Sequence, residues 1–239
     1  MLRVRLLGSF EVTYQDHVVP VLGRQTQSLF AYLVLNGGVL HRREKLARML
    51  WPDSPDPTAR ENLRHTLWRL RKALPSDVPV EYLLADDFTI AFNLSVEHWF
   101  DVAVLKQAKE CVNADDLISR LSVYDGELLP GFYDEWVMLE REYLNFVFEH
   151  NMARLLMMLQ SAGRWLDVLD WGERWLVFGQ KPEPAYRALM YAHMEKGDIS
   201  KVADTYARCV RALGEMGLEP TEQTRELYER LKLGKPHPF

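Results

Sequence analysis

ARENLRHTLWRLRKAL, residues 59–74, decides the fold of this chain. Leu63, Leu67, Leu70 and Leu74 recur at i, i+4, i+7 and i+11, which is one narrow apolar stripe on a helix. The pattern predicts a helix over 57–74, with Asp56 or Thr58 available to cap its start. At about 100° per residue, Asn62, His65, Trp68, Arg69 and Lys72 turn broadly away from the leucines, and Arg64 also lies off the stripe. One face is therefore expected in the domain's core, and the other is cationic.

The flanking sequence sets this helix in a small domain. Upstream, LHRREKLARMLWPD (40–53) predicts a short helix over 42–50, with Leu46, Met49 and Leu50 inward, ended at Trp51-Pro52 because proline cannot continue the ladder. Before it, Leu29, Phe30 and Leu33 have helical spacing from Gln25 onward, and Gly37-Gly38 stops that helix. Residues 2–22 alternate, with turn residues at Gly8-Ser9 and Gln15-Asp16, and read as an antiparallel sheet of about three strands. Downstream, 80–84 and 88–92 flank Ala85-Asp86-Asp87 as a hairpin. Sheet, helix, helix, helix, hairpin is the order of an α+β winged helix-turn-helix with an N-terminal β-sheet, expected over residues 1–93.

Charge points the same way. The chain has 239 residues and a net charge of -5, unevenly placed. Residues 1–75 hold 12 basic and 6 acidic side chains, +6, and the remainder holds 17 and 28, -11. Such asymmetry suits an anion-binding module joined to another part, although a solvated basic face has the same composition.

Double-stranded DNA is the anion that a helix-turn-helix accepts, since the major groove admits a helix. Arg64, His65, Trp68, Arg69 and Lys72 are the outward candidates on the third helix. Arg42, Arg43 and Lys45 open the second helix, where cations oppose the helix dipole unless an anion such as phosphate sits beside them. Two readings of Trp68 stand: contact with DNA, or packing against the hairpin or the second domain. The hairpin carries Glu81, Asp86 and Asp87, and acids repel phosphate. It either stays off the DNA or faces the other domain.

Residues 94–239 are expected to form an all-α domain. Gly163 and Gly197 lie 34 residues apart, and at that offset Leu155, Trp165, Val168 and Leu176 meet Leu189, Ile199, Val202 and Val210. A period of 34 is the tetratricopeptide spacing, though two copies can also pair by chance in any helical bundle. Trp165, Trp171, Trp175, Phe178 and Tyr186 have helical spacing and read as core, as does Trp136 after its turn. A last amphipathic helix over 221–231 closes the stack, and the tail 234–239 is expected to fray.

Motifs of catalysis are missing: no Gly-rich phosphate loop, HExxH, G-x-S-x-G or CxxC occurs. No catalytic residues, metal or cofactor are expected, since the seven histidines lack ligand spacing. Cys111 and Cys209, far apart, fit a reducing cytoplasm. The N-terminus does not read as a signal peptide, and no apolar run is long enough to span a bilayer, so no membrane partner is expected.

VRLLGSFEV (4–12), LHRREKLARMLWPD and ARENLRHTLWRLRKAL together resemble the OmpR-type winged helix of SARP-type transcriptional activators. YDGELLPGFYDEWVMLEREYL (124–144) and RALGEMGLEPTEQTRELYERL (211–231) resemble the bacterial transcriptional activator domain that follows it in those proteins. The resemblance implies a regulator that binds direct repeats near promoters, contacts RNA polymerase, and dimerises or is controlled through its helical domain. It implies that the third helix is the recognition helix, with Asn62, His65 and Arg69 facing the groove. It implies phosphate contacts from Arg43 and the Trp51 indole. The chain departs from the family in its wing, where Asp86-Asp87-Phe88 replaces the usual Gly-Tyr and basic residues. It also shows no receiver or nucleotide-binding ATPase segment, so phosphorylation or nucleotide hydrolysis is not the expected switch. The competing expectation is a helical scaffold for protein partners whose winged helix has weak or no DNA affinity.

Overall fold

The computed structural model describes residues 1–76 and 80–233, so the expectation for the tail 234–239 lies outside the described residues. Two compact units emerge: Met1–Lys106 with Val123–Leu144, and Gln107–Ser122 with Asn145–Phe239.

In the first unit, β1 (Leu2–Arg5), β2 (Glu11–Tyr14) and β3 (His17–Val18) form the antiparallel meander that the alternation predicted. Then come α1 (Arg24–Leu35), β4 (His41–Arg42), α2 (Arg43–Leu50), α3 (Asp56–Ala73) and the hairpin of β5 (Leu83–Ala85) and β6 (Thr89–Phe92). β7 (His98–Phe100) and α4 (Asp101–Lys106) complete the unit's N-terminal part. β4 pairs with β6, giving a second sheet in the order β4-β6-β5. β7 lies parallel to β1 at the edge of the first sheet, order β3-β2-β1-β7. Strands of two and three residues are too short to show alternation, so β4 and β7 were invisible to the periodicity. The result is the α+β winged helix-turn-helix with an N-terminal sheet. Leu63, Leu67, Leu70 and Leu74 are all buried, as the stripe required.

The expected division at 93/94 differs from these units. Asp101 shows why the first unit continues past the hairpin. Its buried carboxylate accepts hydrogen bonds from the amides of Leu6 (2.7 Å) and Leu7 (2.9 Å) through one oxygen and of Val102 (2.7 Å) through the other. Residues 123–144 also return to this unit. Leu129 N–H donates to Leu6 O (2.8 Å), Gly8 N–H donates to Glu127 O (2.9 Å), and Leu7 and Leu128 form an antiparallel bridge. Arg141 donates to the carbonyls of Leu128, Leu129 and Phe132, and the Trp136 ring stands edge-on to Tyr32 at 5.2 Å.

Burial pushes the Asp101 carboxyl above the ordinary carboxylate range, against the pull of its three amide bonds. A raised folded-state value contributes stability fully below the unfolded pKa, and that contribution is lost as pH rises through the folded one. Asp101→Asn does not titrate, and it turns an NH2 group toward an amide donor at one end of the side chain. It is expected to cost about 1–3 kcal/mol in urea unfolding. The deficit should be larger in acid and shrink toward neutral pH.

The second unit is helical: the 3-10 turn Gln107–Glu110, α5 (Ala114–Leu121), α6 (Glu135–Ser161) from Asn145 on, α7 (Trp165–Phe178), α8 (Glu183–Glu195), α9 (Ile199–Gly214) and α10 (Glu222–Lys232). α7 and α9 start 34 residues apart, each just after a glycine with φ in the left-handed region, Gly163 at 66° and Gly197 at 80°. Of the four matched pairs, Leu155/Leu189 and Val168/Val202 are buried, while Ile199 and Val210 are exposed. The tetratricopeptide-like register is thus carried by two pairs. Trp175 and Tyr186 are core, and Trp165, Trp171 and Phe178 are half-buried. α10 caps the stack: Glu183 accepts from Thr221 N–H, Thr221 Oγ1 and Thr224 Oγ1, and Tyr206 stacks on Tyr228 at 4.0 Å.

Candidate nucleic-acid interface

α2 and α3 meet the hairpin in one unit, and ion pairs fix their relation. Arg48 at the end of α2 holds Asp56 at the start of α3 (2.9 Å), and Arg60 of α3 holds Glu44 of α2 (2.7 Å). α3 ends without glycine because Leu74 leaves the helix in an extended conformation. With its leucines inward, α3 turns Arg64, His65, Trp68, Arg69 and Lys72 to solvent, and Asn62 is half-buried.

Trp68 is 60% exposed, so packing of this residue against the hairpin falls away. Lys72 Nζ sits 5.2 Å from its ring centroid, a cation–π contact that aligns two outward side chains. Arg69 and Lys72 have no ion pair among the described residues. Arg64 does: its guanidinium meets Glu61 at 2.6 Å, and His65 Nε2 reaches the same oxygen at 2.8 Å. The Arg64 guanidinium holds the Glu61 carboxyl below the ordinary range. Glu61 is thus a counter-charge in the middle of the outward face. The sequence reading missed it, though its i,i+3 and i,i+4 spacing to Arg64 and His65 carried the signal.

The start of α2 presents Arg42, Arg43 and Lys45. Arg42 and Lys45 are exposed, Arg43 is half-buried, and none has an ion pair among the described residues. The Arg43 amide donates to Phe88 O (2.9 Å), which ties the helix start to the hairpin tip, and its Nε is buried with no partner. Trp51 caps the end of α2, half-buried, with no partner for its indole N–H among the described residues.

The wing's acids have different roles. Asp86 builds the turn: it accepts from Phe88 N–H (2.7 Å), Thr89 N–H (2.6 Å) and Thr89 Oγ1 (3.0 Å). Those amide bonds, with Arg43 nearby, hold its carboxyl below the ordinary range. The turn in turn projects Phe88, 78% exposed, a second feature the sequence reading passed over. Between the tip, α2 and α3 lies a groove of about 740 Å³. Arg42, Arg43, Arg60 and Arg64 line it against Glu44, Glu61 and Asp87, so the groove is nearly neutral and the excess of positive charge lies on its flanks.

Among the described residues no group of three or more His, Cys, Asp or Glu is placed to hold a metal ion, and no helix is long and apolar enough to cross a membrane.

The family of the bacterial transcriptional activator domain matches residues 103–232. A solved structure of Mycobacterium tuberculosis EmbR in complex with a low affinity phosphopeptide has a TM-score of 0.74 to this chain at 20% identity. That likeness, which is one of fold, covers 99% of this chain and 66% of the EmbR chain, so this chain spans just under two thirds of that protein. No curated protein sequence matches. The family match agrees with the resemblance of the second half to the bacterial transcriptional activator domain, and the likeness to EmbR agrees with the expected fold.

Proposed function

The chain belongs to the family of the bacterial transcriptional activator domain, and from that premise we propose that it is a sequence-specific, DNA-binding transcription regulator acting in the cytoplasm. One observation carries this reading: the outward face of α3 is solvent-exposed, with Arg69 and Lys72 free of ion pairs among the described residues beside an exposed Trp68. In this proposal α3 enters the major groove. Asn62, His65 and Arg69 read base edges, and Arg69 is suited to the two-bond contact with guanine. Arg42, Arg43, Lys45 and the Trp51 indole grip phosphate, while Lys72 and Trp68 flank the groove. Arg64 lies on the same face but stays paired with Glu61, so its part is to line the interface rather than to neutralise a phosphate. Residues 1–93 are the DNA-binding part and 94–239 the activator part. Direct repeats near promoters, two protomers side by side and contact with RNA polymerase are the arrangement this family membership favours.

Arg69→Ala is expected to lose about 1–3 kcal/mol of preference for the cognate over a scrambled duplex. Arg43→Ala should weaken both duplexes alike. Selection of bound duplexes from a random pool, followed by anisotropy titration of each variant, separates the two. Unchanged specificity in Arg69→Ala would overturn the recognition-helix assignment. The near-neutral groove favours the scaffold alternative, and failure of every selected duplex to bind at low salt would establish it.

A further inference from the structure

The second unit contains a cavity of about 590 Å³ that the proposed DNA contacts do not use. Its size falls in the range of small-molecule sites. Leu156 of α6, Trp175 of α7, Ala188 and Tyr191 of α8 and Leu227 of α10 supply an apolar wall. Two guanidinium groups, Arg187 and Arg230, reach the same space.

The two arginines differ in what they already hold. Arg187 donates to Thr224 Oγ1 (2.9 Å) and lies 3.8 Å from Glu183, so its charge is partly answered. The Arg230 side chain has no hydrogen bond or ion pair among the described residues, and its Nε is buried without a partner. A buried donor left unsatisfied is costly, and a site that supplies one is completed by an acceptor. Glu226, one turn earlier on α10, also lines the cavity and is exposed. With Arg187 partly answered by Glu183, Arg230 is the guanidinium left to meet an anion, which suits one negative charge on the occupant and disfavours a dianion.

We propose that this cavity binds a small organic monocarboxylate with an apolar body, such as a medium-chain acyl or arylalkyl acid, its carboxylate paired with Arg230 and its body against Trp175 and Leu227. A guanidinium can meet a carboxylate through two parallel hydrogen bonds, and the apolar wall takes the rest of the ligand. The site rests on the helical unit alone and is independent of the DNA-binding reading.

Calorimetric titration of the full chain with octanoate and 3-phenylpropionate, each beside its uncharged amide, tests it. Both acids should bind, and the amides should bind at least about tenfold more weakly. Arg230→Gln should lose at least about tenfold for the acids while leaving the helical circular dichroism unchanged. Glu226→Gln, which removes the competing carboxylate at an exposed position, should bind the acids more tightly. Ala153→Phe, on the cavity's lining, should exclude acids and amides alike. Equal affinity for acid and amide, undiminished binding in Arg230→Gln, or no binding of either acid at millimolar concentration overturns the proposal. Binding instead of a peptide through its C-terminal carboxylate, with neither acid bound, would assign the cavity to a protein partner and overturn it too.

Discussion

Raising the salt from about 50 to 200 mM should weaken duplex binding by each protomer on the order of 10²–10³-fold. The figure follows from four cations placed to neutralise phosphate, Arg42, Arg43, Lys45 and Lys72, none of them in an ion pair among the described residues, with Arg69 assigned to a base edge. Each phosphate neutralised releases condensed counterions and contributes about -0.9 to the slope of log K against log salt, giving a slope of about -3.6. Arg60 and Arg64 are left out of the count because Glu44 and Glu61 already hold them at 2.7 and 2.6 Å. Anisotropy titrations of one half-site duplex across a salt series measure the slope directly. The triple substitution of Arg42, Arg43 and Lys45 by alanine should lower its magnitude by about 2.7, since each lost contact removes about 0.9. Arg64→Ala should change it little. A slope near zero in the parent protein would mean that these cations are an ordinary solvated face, and the regulator reading would lose its electrostatic basis.

The elements that the sequence made legible are those with a long period. The stripe Leu63, Leu67, Leu70 and Leu74 gave α3 within a residue at each end, and its burial then dictated which side chains face solvent. Contacts made at a distance were not legible. Nothing local in 124–144 says that Leu129 pairs with Leu6, or that Arg141 spends its donors on three carbonyls of its own segment. A chain that returns after an excursion leaves no periodic trace, which is why the division into parts read from periodicity falls elsewhere than the packing. The site shows the same split. Identity of the outward residues came from helical geometry, whereas the restraint of Arg64 by Glu61 and the use of Asp86 as a turn former are pair properties. The acids at the hairpin therefore look repulsive in sequence, yet Asp86 is the hydrogen-bonded centre of the turn that raises Phe88.

Phe30→Ala should cost about 3–5 kcal/mol of stability. The side chain is fully buried in α1 and joins both sheets. Its ring stands edge-on to Phe10, beside β2, at 6.4 Å and to Phe92 of β6 at 6.3 Å. Phe92 in turn meets Phe100 of β7 at 5.3 Å. Edge-to-face pairs add about 0.5–1.5 kcal/mol beyond burial, so removing the central ring loses packing with two partners as well as its own transfer energy. The cavity left cannot close by moving one element, because its walls belong to two sheets and a helix that are each pinned by their own backbone bonds. Phe88→Ala is the contrast: that ring is already in solvent, and its loss should change stability by less than about 0.5 kcal/mol. Urea unfolding followed by circular dichroism compares the two, reading the shift in midpoint at constant slope. A loss below about 1 kcal/mol in Phe30→Ala would show that the sheets are held together without this ring, and the rigidity of the first unit would need another source.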